Sequence, residues 1–138
     1  VTGAELDGRV TIDDAGLGKM ASIKKSYIGS SMRKRGELSS NNREKLVGIY
    51  PKNRKETFDA GSIICEESKV EGHGIGRITS VTYSPALGHW IGLGFVAGGH
   101  ETWKEKNLIA TDPVRNKNII VEVVNPHMYD PEGKRMHD

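Results

Sequence analysis

Cysteine occurs once in this chain, at Cys65. A single thiol excludes an internal disulfide and any cysteine-built zinc or iron–sulfur centre. It sits in SIICEE, a predicted strand, and reads as a small buried hydrophobe. No apolar run approaches the roughly 20 residues that a membrane-spanning helix needs, so helical insertion is excluded. The opening VTGAELDGRV lacks the basic start and continuous apolar stretch of a secretory signal, and a cytoplasmic setting is the expectation. The histidines, at positions 73, 89, 100, 127 and 137, include no pair spaced to set two imidazoles on one helical face. No metal site is expected. Glu66, Glu67 and Glu71 cluster in sequence, but an exposed strand end gives none of them the burial or charged neighbour that acid–base chemistry needs.

At 138 residues the chain is long enough for one domain with one core. Its 36% apolar and 28% charged residues are ordinary for a globular protein. The net charge of +2 conceals an asymmetry, because residues 19–55 carry eleven Lys or Arg against Glu37 and Glu44. That segment is therefore +9, and the remainder −7. Phosphate tracking is one reading of such a stretch, with Tyr27 as a stacking surface. The weightier readings are a solvated face, or docking on an acidic partner or an anionic small molecule, which leaves nucleic acid an unlikely partner.

Residues 1–12 are polar and without sustained periodicity, and read as a connector from a preceding domain, with the folded domain over 13–138. Asp13-Asp14 is predicted to cap a short turn over AGLGKM, and Ser30 or Ser31 a short helix over SSMRKR ended by Gly36. From residue 44 the pattern changes to strands: EKLVGIY, GSIICEE, GRITSVTY, HWIGLGFVA, NLIAT and NKNIIVEVV. Each is short, rich in β-branched or aromatic residues, and bounded by Pro, Gly, Asn or Asp. The fold class is all-β: a small antiparallel six-stranded barrel of Greek-key type, with one or two short helical turns near the N-terminus.

Two glycine patterns need local explanations. Gly72, Gly74 and Gly76 in EGHGIGR precede a strand rather than a helix, so a hairpin turn is preferred over a phosphate loop, with His73 exposed in it. In TSVTYSPALGHWIGLGFV, Pro85 ends one strand and Gly88 supplies a positive φ at the exit of the turn. The next strand sets Ile91, Leu93 and Phe95 on one face, and Trp90, Gly92, Gly94 and Val96 on the other. Something must pack closely on that bare second face: a neighbouring backbone or barrel bend, or else a ligand or second domain. His89, beside Trp90, reads as a half-buried strand residue.

Taken in order, AGLGKM, KSYIGSSM, EKLVGIYP, GRITSVTYSPALGHWIGLGFV and VVNPHMYDPEGKRMHD resemble the C-terminal domain of the folate-dependent aminomethyltransferase family, typified by the glycine-cleavage T-protein. The closing YDPEG segment, which reads as a chain folded back along the surface, is similar to the end of the α chain of heterotetrameric sarcosine oxidase. Two departures from the family pattern are IGSSMRKR, where an IGRR-type run is usual, and His127-Met128, where the pair before YDPEG is usually apolar.

The resemblance implies a small β-barrel that packs on a larger folate-binding domain. That domain carries the catalytic carboxylate and most pterin contacts, so the barrel has no catalytic residue of its own. It also implies tetrahydrofolate in the parent protein, with FAD, FMN and NAD elsewhere in the complex, and other subunits as partners. By position in the family motifs, Lys19 and Tyr83 are the candidate folate-edge residues. A T-protein or a dimethylglycine dehydrogenase is an alternative parent. A freestanding nucleic-acid or anion-binding barrel is the alternative of another class.

Overall fold

The computed structural model describes residues 3–67 and 73–136. Six strands, β1 (Glu44–Pro51), β2 (Ile63–Glu66), β3 (Gly76–Ser84), β4 (His89–Ala97), β5 (Leu108–Asp112) and β6 (Lys117–Val124), close into an antiparallel barrel. Their order around it is β1-β4-β3-β2-β5-β6. β2, β3 and β4 form a meander, and β1 lies beside β4 across a long connection, which is the Greek-key arrangement. Every strand expected from the sequence is present, within two residues at each end.

Alternation explains the core. Val47 and Ile49, Ile64, Ile78, Val96, Leu108 and Ala110, and Val121 and Val123 point inward from successive strands, and Phe58 enters from the β1–β2 connection. The bare face of β4 belongs to this interior. A Cβ on Gly92 would stand 2.6 Å from the Phe58 ring, and one on Gly94 2.4 Å from the Arg77 carbonyl oxygen. Packing neighbours within the barrel, rather than a ligand or second domain, account for both glycines. Cys65 is buried, and burial pushes its thiol up, as suits an unreactive core residue.

The β3–β4 turn behaves as its residues dictate. Gly88 has φ +72° and donates its N–H to the Ser84 carbonyl at 2.8 Å. β2 and β3 are consecutive and antiparallel, and His73 is exposed before β3. Glu71 and Gly72 of that connection lie outside the described residues, as do Val1 and His137.

Three local expectations need correction. The helix α1 covers only Ser30–Arg33, and its N-cap is Gly29 in the left-handed region rather than a serine side chain. It ends at Lys34, before Gly36 is reached, because two of the last N–H bonds already close tight turns there. The turn before AGLGKM is capped reciprocally by Thr11 and Asp14: the Thr11 hydroxyl accepts the Asp14 N–H at 3.1 Å, and the Asp14 carboxylate accepts the Thr11 N–H at 3.0 Å. Asp13 is turned elsewhere, to Arg33. A second helix, α2 (Gly99–Trp103), follows β4 and was not expected; a short 3-10 turn covers Gly18–Met20.

Candidate functional site: a cationic groove beside the barrel

Residues 9–43 form a lobe with little regular structure, fastened to the barrel by polar contacts. The Leu46 N–H of β1 donates to the Asp14 carbonyl at 2.7 Å. Arg43 binds the Asp14 carboxylate through Nε and Nη2, the latter at 2.7 Å, and gives a further Nη2 bond to the Arg9 carbonyl. The Asp14 side chain is only 4% exposed. Burial pushes its carboxyl up, but the bonds from Arg43 and Thr11 outweigh that and hold it below the usual range.

One step outward, Arg33 clamps Asp13 in a two-pronged pair at 2.5 and 2.7 Å and donates to the Tyr27 hydroxyl at 3.3 Å. The hydrogen bonds from Arg33 hold the Asp13 carboxyl low. Both lobe aspartates are therefore ionised and matched by their own arginines.

Two adjoining clefts result, sharing Asp13 and Lys45. The larger, about 900 Å³, lies within the lobe and is lined by Lys24, Lys25, Lys34 and Tyr27 among others. The smaller, about 390 Å³, lies where the lobe meets α2 and the chain after β6; Lys19, His100, Asn125 and His127 line it. Because Arg33 and Arg43 already neutralise Asp13 and Asp14, the lysines leave the groove with excess positive charge. His100 Nε2 is 2.8 Å from Glu101 Oε1, which ties that acid at the rim. Such a groove can hold an anion; among the described residues that line it, no nucleophile is paired with an adjacent base.

The two residues singled out from the sequence lie far apart. Lys19 lines the smaller cleft, near the Ala97 end of β4. Tyr83 is at the opposite end, paired with Trp90 across the β3–β4 hairpin, their rings edge-on at 5.9 Å. Trp90 and Ala97 are seven positions apart on β4, roughly 20 Å of strand. His89 is buried beside them; its Nδ1–H donates to the Trp90 carbonyl at 2.8 Å, and its ring meets Tyr50 edge-on at 4.7 Å.

Sequence reasoning missed Lys45, His100, Asn125 and His127 as groove residues. Only the Gly98-Gly99 pair after β4 signalled a sharp re-entry there; both adopt positive φ, and the Lys45 stem would lie 3.1 Å from a Cβ on Gly99. The chain after β6 does fold back, as expected. A Cβ on Gly48 would stand 2.7 Å from the Asn125 carbonyl and 3.0 Å from Met128, so this strap covers the outer face of β1 with Met128 inward and His127 exposed. Asp130 then accepts the N–H groups of Lys134 and Arg135 at 3.0 Å, closing the DPEG turn. Among the described residues no group of three His, Cys, Asp or Glu could hold a metal ion, and no helix is long and apolar enough to cross a membrane.

Comparison with known proteins converges on one lineage. Residues 44–130 match the family described as glycine cleavage T-protein C-terminal barrel domain. Sarcosine oxidase subunit alpha of Rhizobium meliloti is 31% identical over 99% of this chain, and that of Corynebacterium sp. strain P-1 is 30% identical over 98%. The chain spans only 14% of either relative's length. Among solved structures, the glycine cleavage system aminomethyltransferase T from Bartonella henselae matches 90% of this chain and 34% of its own, with TM-score 0.70 at 22% identity, which shows a shared fold.

Proposed function

The chain belongs to the glycine cleavage T-protein C-terminal barrel domain family, and on that footing we propose that it serves as the C-terminal barrel of a sarcosine oxidase-like α subunit. In this role it sits against a preceding folate-binding domain and encloses the anionic end of tetrahydrofolate, while the oxidative demethylation of sarcosine to glycine proceeds on groups carried elsewhere in the enzyme. FAD, FMN and NAD belong to those other parts.

The observation that carries this reading is the groove's net positive charge, with Lys19, Lys24, Lys25, Lys34 and Lys45 against Glu101 once Asp13 and Asp14 are paired with arginines. Tetrahydrofolate ends in glutamate carboxylates, and Lys19 and Lys45 present ammonium groups beside aspartates already satisfied by Arg33 and Arg43. These lysines would hold carboxylates, each a charge-assisted contact in a partly sheltered cleft. The folate, when bound, supplies the one-carbon acceptor; this chain's part is to bind its charged tail and limit water around it. Tyr83, at the far rim with Trp90, contributes on this reading to a different edge of the enclosed space.

The test uses the complete natural enzyme and 5-formyltetrahydrofolate, followed by titration calorimetry. Combining Lys19→Glu with Lys45→Glu is expected to weaken binding tenfold or more, and to leave unchanged the weaker affinity of a reduced pterin that lacks the glutamate. Unaltered affinity for the complete folate would overturn the assignment.

A further inference from the structure

The lobe also carries an unusual crest. Met20, Ile23 and Ile28 are 79%, 94% and 104% exposed within nine residues, and Lys24 and Lys25 stand between them. The crest is built rather than slack. The Ser22 hydroxyl accepts the N–H groups of Lys24 and Lys25 at 3.3 and 3.1 Å, which turns Ile23 outward. The Ser30 N–H donates to the Tyr27 carbonyl at 3.0 Å, with Gly29 at φ +88°, which does the same for Ile28. Arg33 ties Tyr27 to Asp13, so the crest is braced against the rest of the lobe.

Three large apolar side chains held in water with two cations among them lower no energy in isolation; they fit a surface that buries them. We infer that this crest is a docking ridge for another part of the same enzyme, a protein surface with an apolar floor for Ile23 and Ile28 and carboxylates at its rim for Lys24 and Lys25. Charge complementarity sets the rim. The occupant is the remainder of the enzyme because the matched relatives are about seven times longer than this chain, which spans 14% of them. The inference rests on the reading of the chain as one domain of a longer enzyme, and does not require that folate bind the groove.

Thiol labelling in the complete natural enzyme tests it. Ile23→Cys and Ile28→Cys proteins are each compared with Val114→Cys, a control position 90% exposed in the β5–β6 turn. Modification by a maleimide is read by mass spectrometry of the relevant peptide, with no folate present. The crest positions are expected to react at least tenfold more slowly than the control, and adding Lys24→Glu with Lys25→Glu is expected to remove most of that protection. Equal rates at crest and control would overturn the proposal. So would protection that arises only on adding phosphatidylserine vesicles, which would make the ridge lipid-facing, or protection that fades on dilution, which would assign it to a second copy. Lost folate affinity with a protected crest would sink the groove reading alone.

Discussion

Arg43 Nη2 stands 2.7 Å from Asp14 Oδ2, although 29 positions separate the two residues in the chain. The carboxylate is nearly buried, and the same guanidinium reaches the Arg9 carbonyl, so one side chain fastens the lobe in two places. Removing it leaves a sheltered anion without its partner. Arg43→Ala is expected to cost about 3 kcal/mol of unfolding free energy, measured by urea titration. Arg43→Lys should recover only part of this, because a point charge cannot repeat the planar, multiply bonded contact.

The same aspartates set the response to acid. Arg33 holds Asp13 below the ordinary carboxylate range, and the Arg43 and Thr11 bonds do so for Asp14 against the opposing effect of burial. A folded state with depressed carboxyl pKa values binds fewer protons than the unfolded chain, so stability rises with pH through that window. The contribution is complete above the unfolded value of about 3.9 and disappears as pH falls through the lower folded values. Thermal melts should be nearly level from about pH 7 to 5 on this account and fall steeply below about 4. Asp14→Asn should start lower and fall less.

The glycines of β4 make a prediction about the interior. A Cβ on Gly94 would lie 2.4 Å from a backbone oxygen and 2.8 Å from Ile49, and a strand cannot yield as a side chain can. Gly94→Ala is expected to cost about 2 kcal/mol. At Gly92 the obstruction is the Phe58 ring, a side chain, so the penalty of Gly92→Ala should shrink when measured in a Phe58→Leu background. Gly94→Ala should show no such coupling to Phe58. A pair of double-mutant cycles by chemical denaturation checks both.

The barrel was legible because a two-residue period survives in short windows: the inward set Val47, Ile49 and the set Val121, Val123 are visible as alternation before any contact is known. The glycine-lined face was also visible, though the identity of its neighbours was not, since Phe58 reaches Gly92 from 34 positions away. Lobe and groove were much less readable. Thr11 and Asp14 form a capping pair of which the sequence reading held Asp14, beside Asp13, but not its partner Thr11. Lys45 reads as a strand residue, and His100 and His127 as isolated imidazoles. Only the fold brings α2, the strap after β6 and the lobe to one place. Charge clustering over residues 19–55 did mark the segment that lines the larger cleft, although it could not separate Arg33 and Arg43, which are spent on aspartates, from the lysines left facing the groove.

Closure of the sheet depends on Gly48 and Ile49 meeting Val124 and Val123, the first and last strands of the barrel. On the ribosome, which releases the chain from its N-terminal side, β1 must wait while some seventy further residues emerge before that seam can form. Throughout this interval the edge of β1 that faces β6, rather than the one that pairs with β4, remains open to other nascent chains. A slow-translating stretch, or a deletion within β6, would therefore lower soluble yield more than an equal disturbance in β3 or β4, whose hairpin can zip as soon as Ala97 has been added.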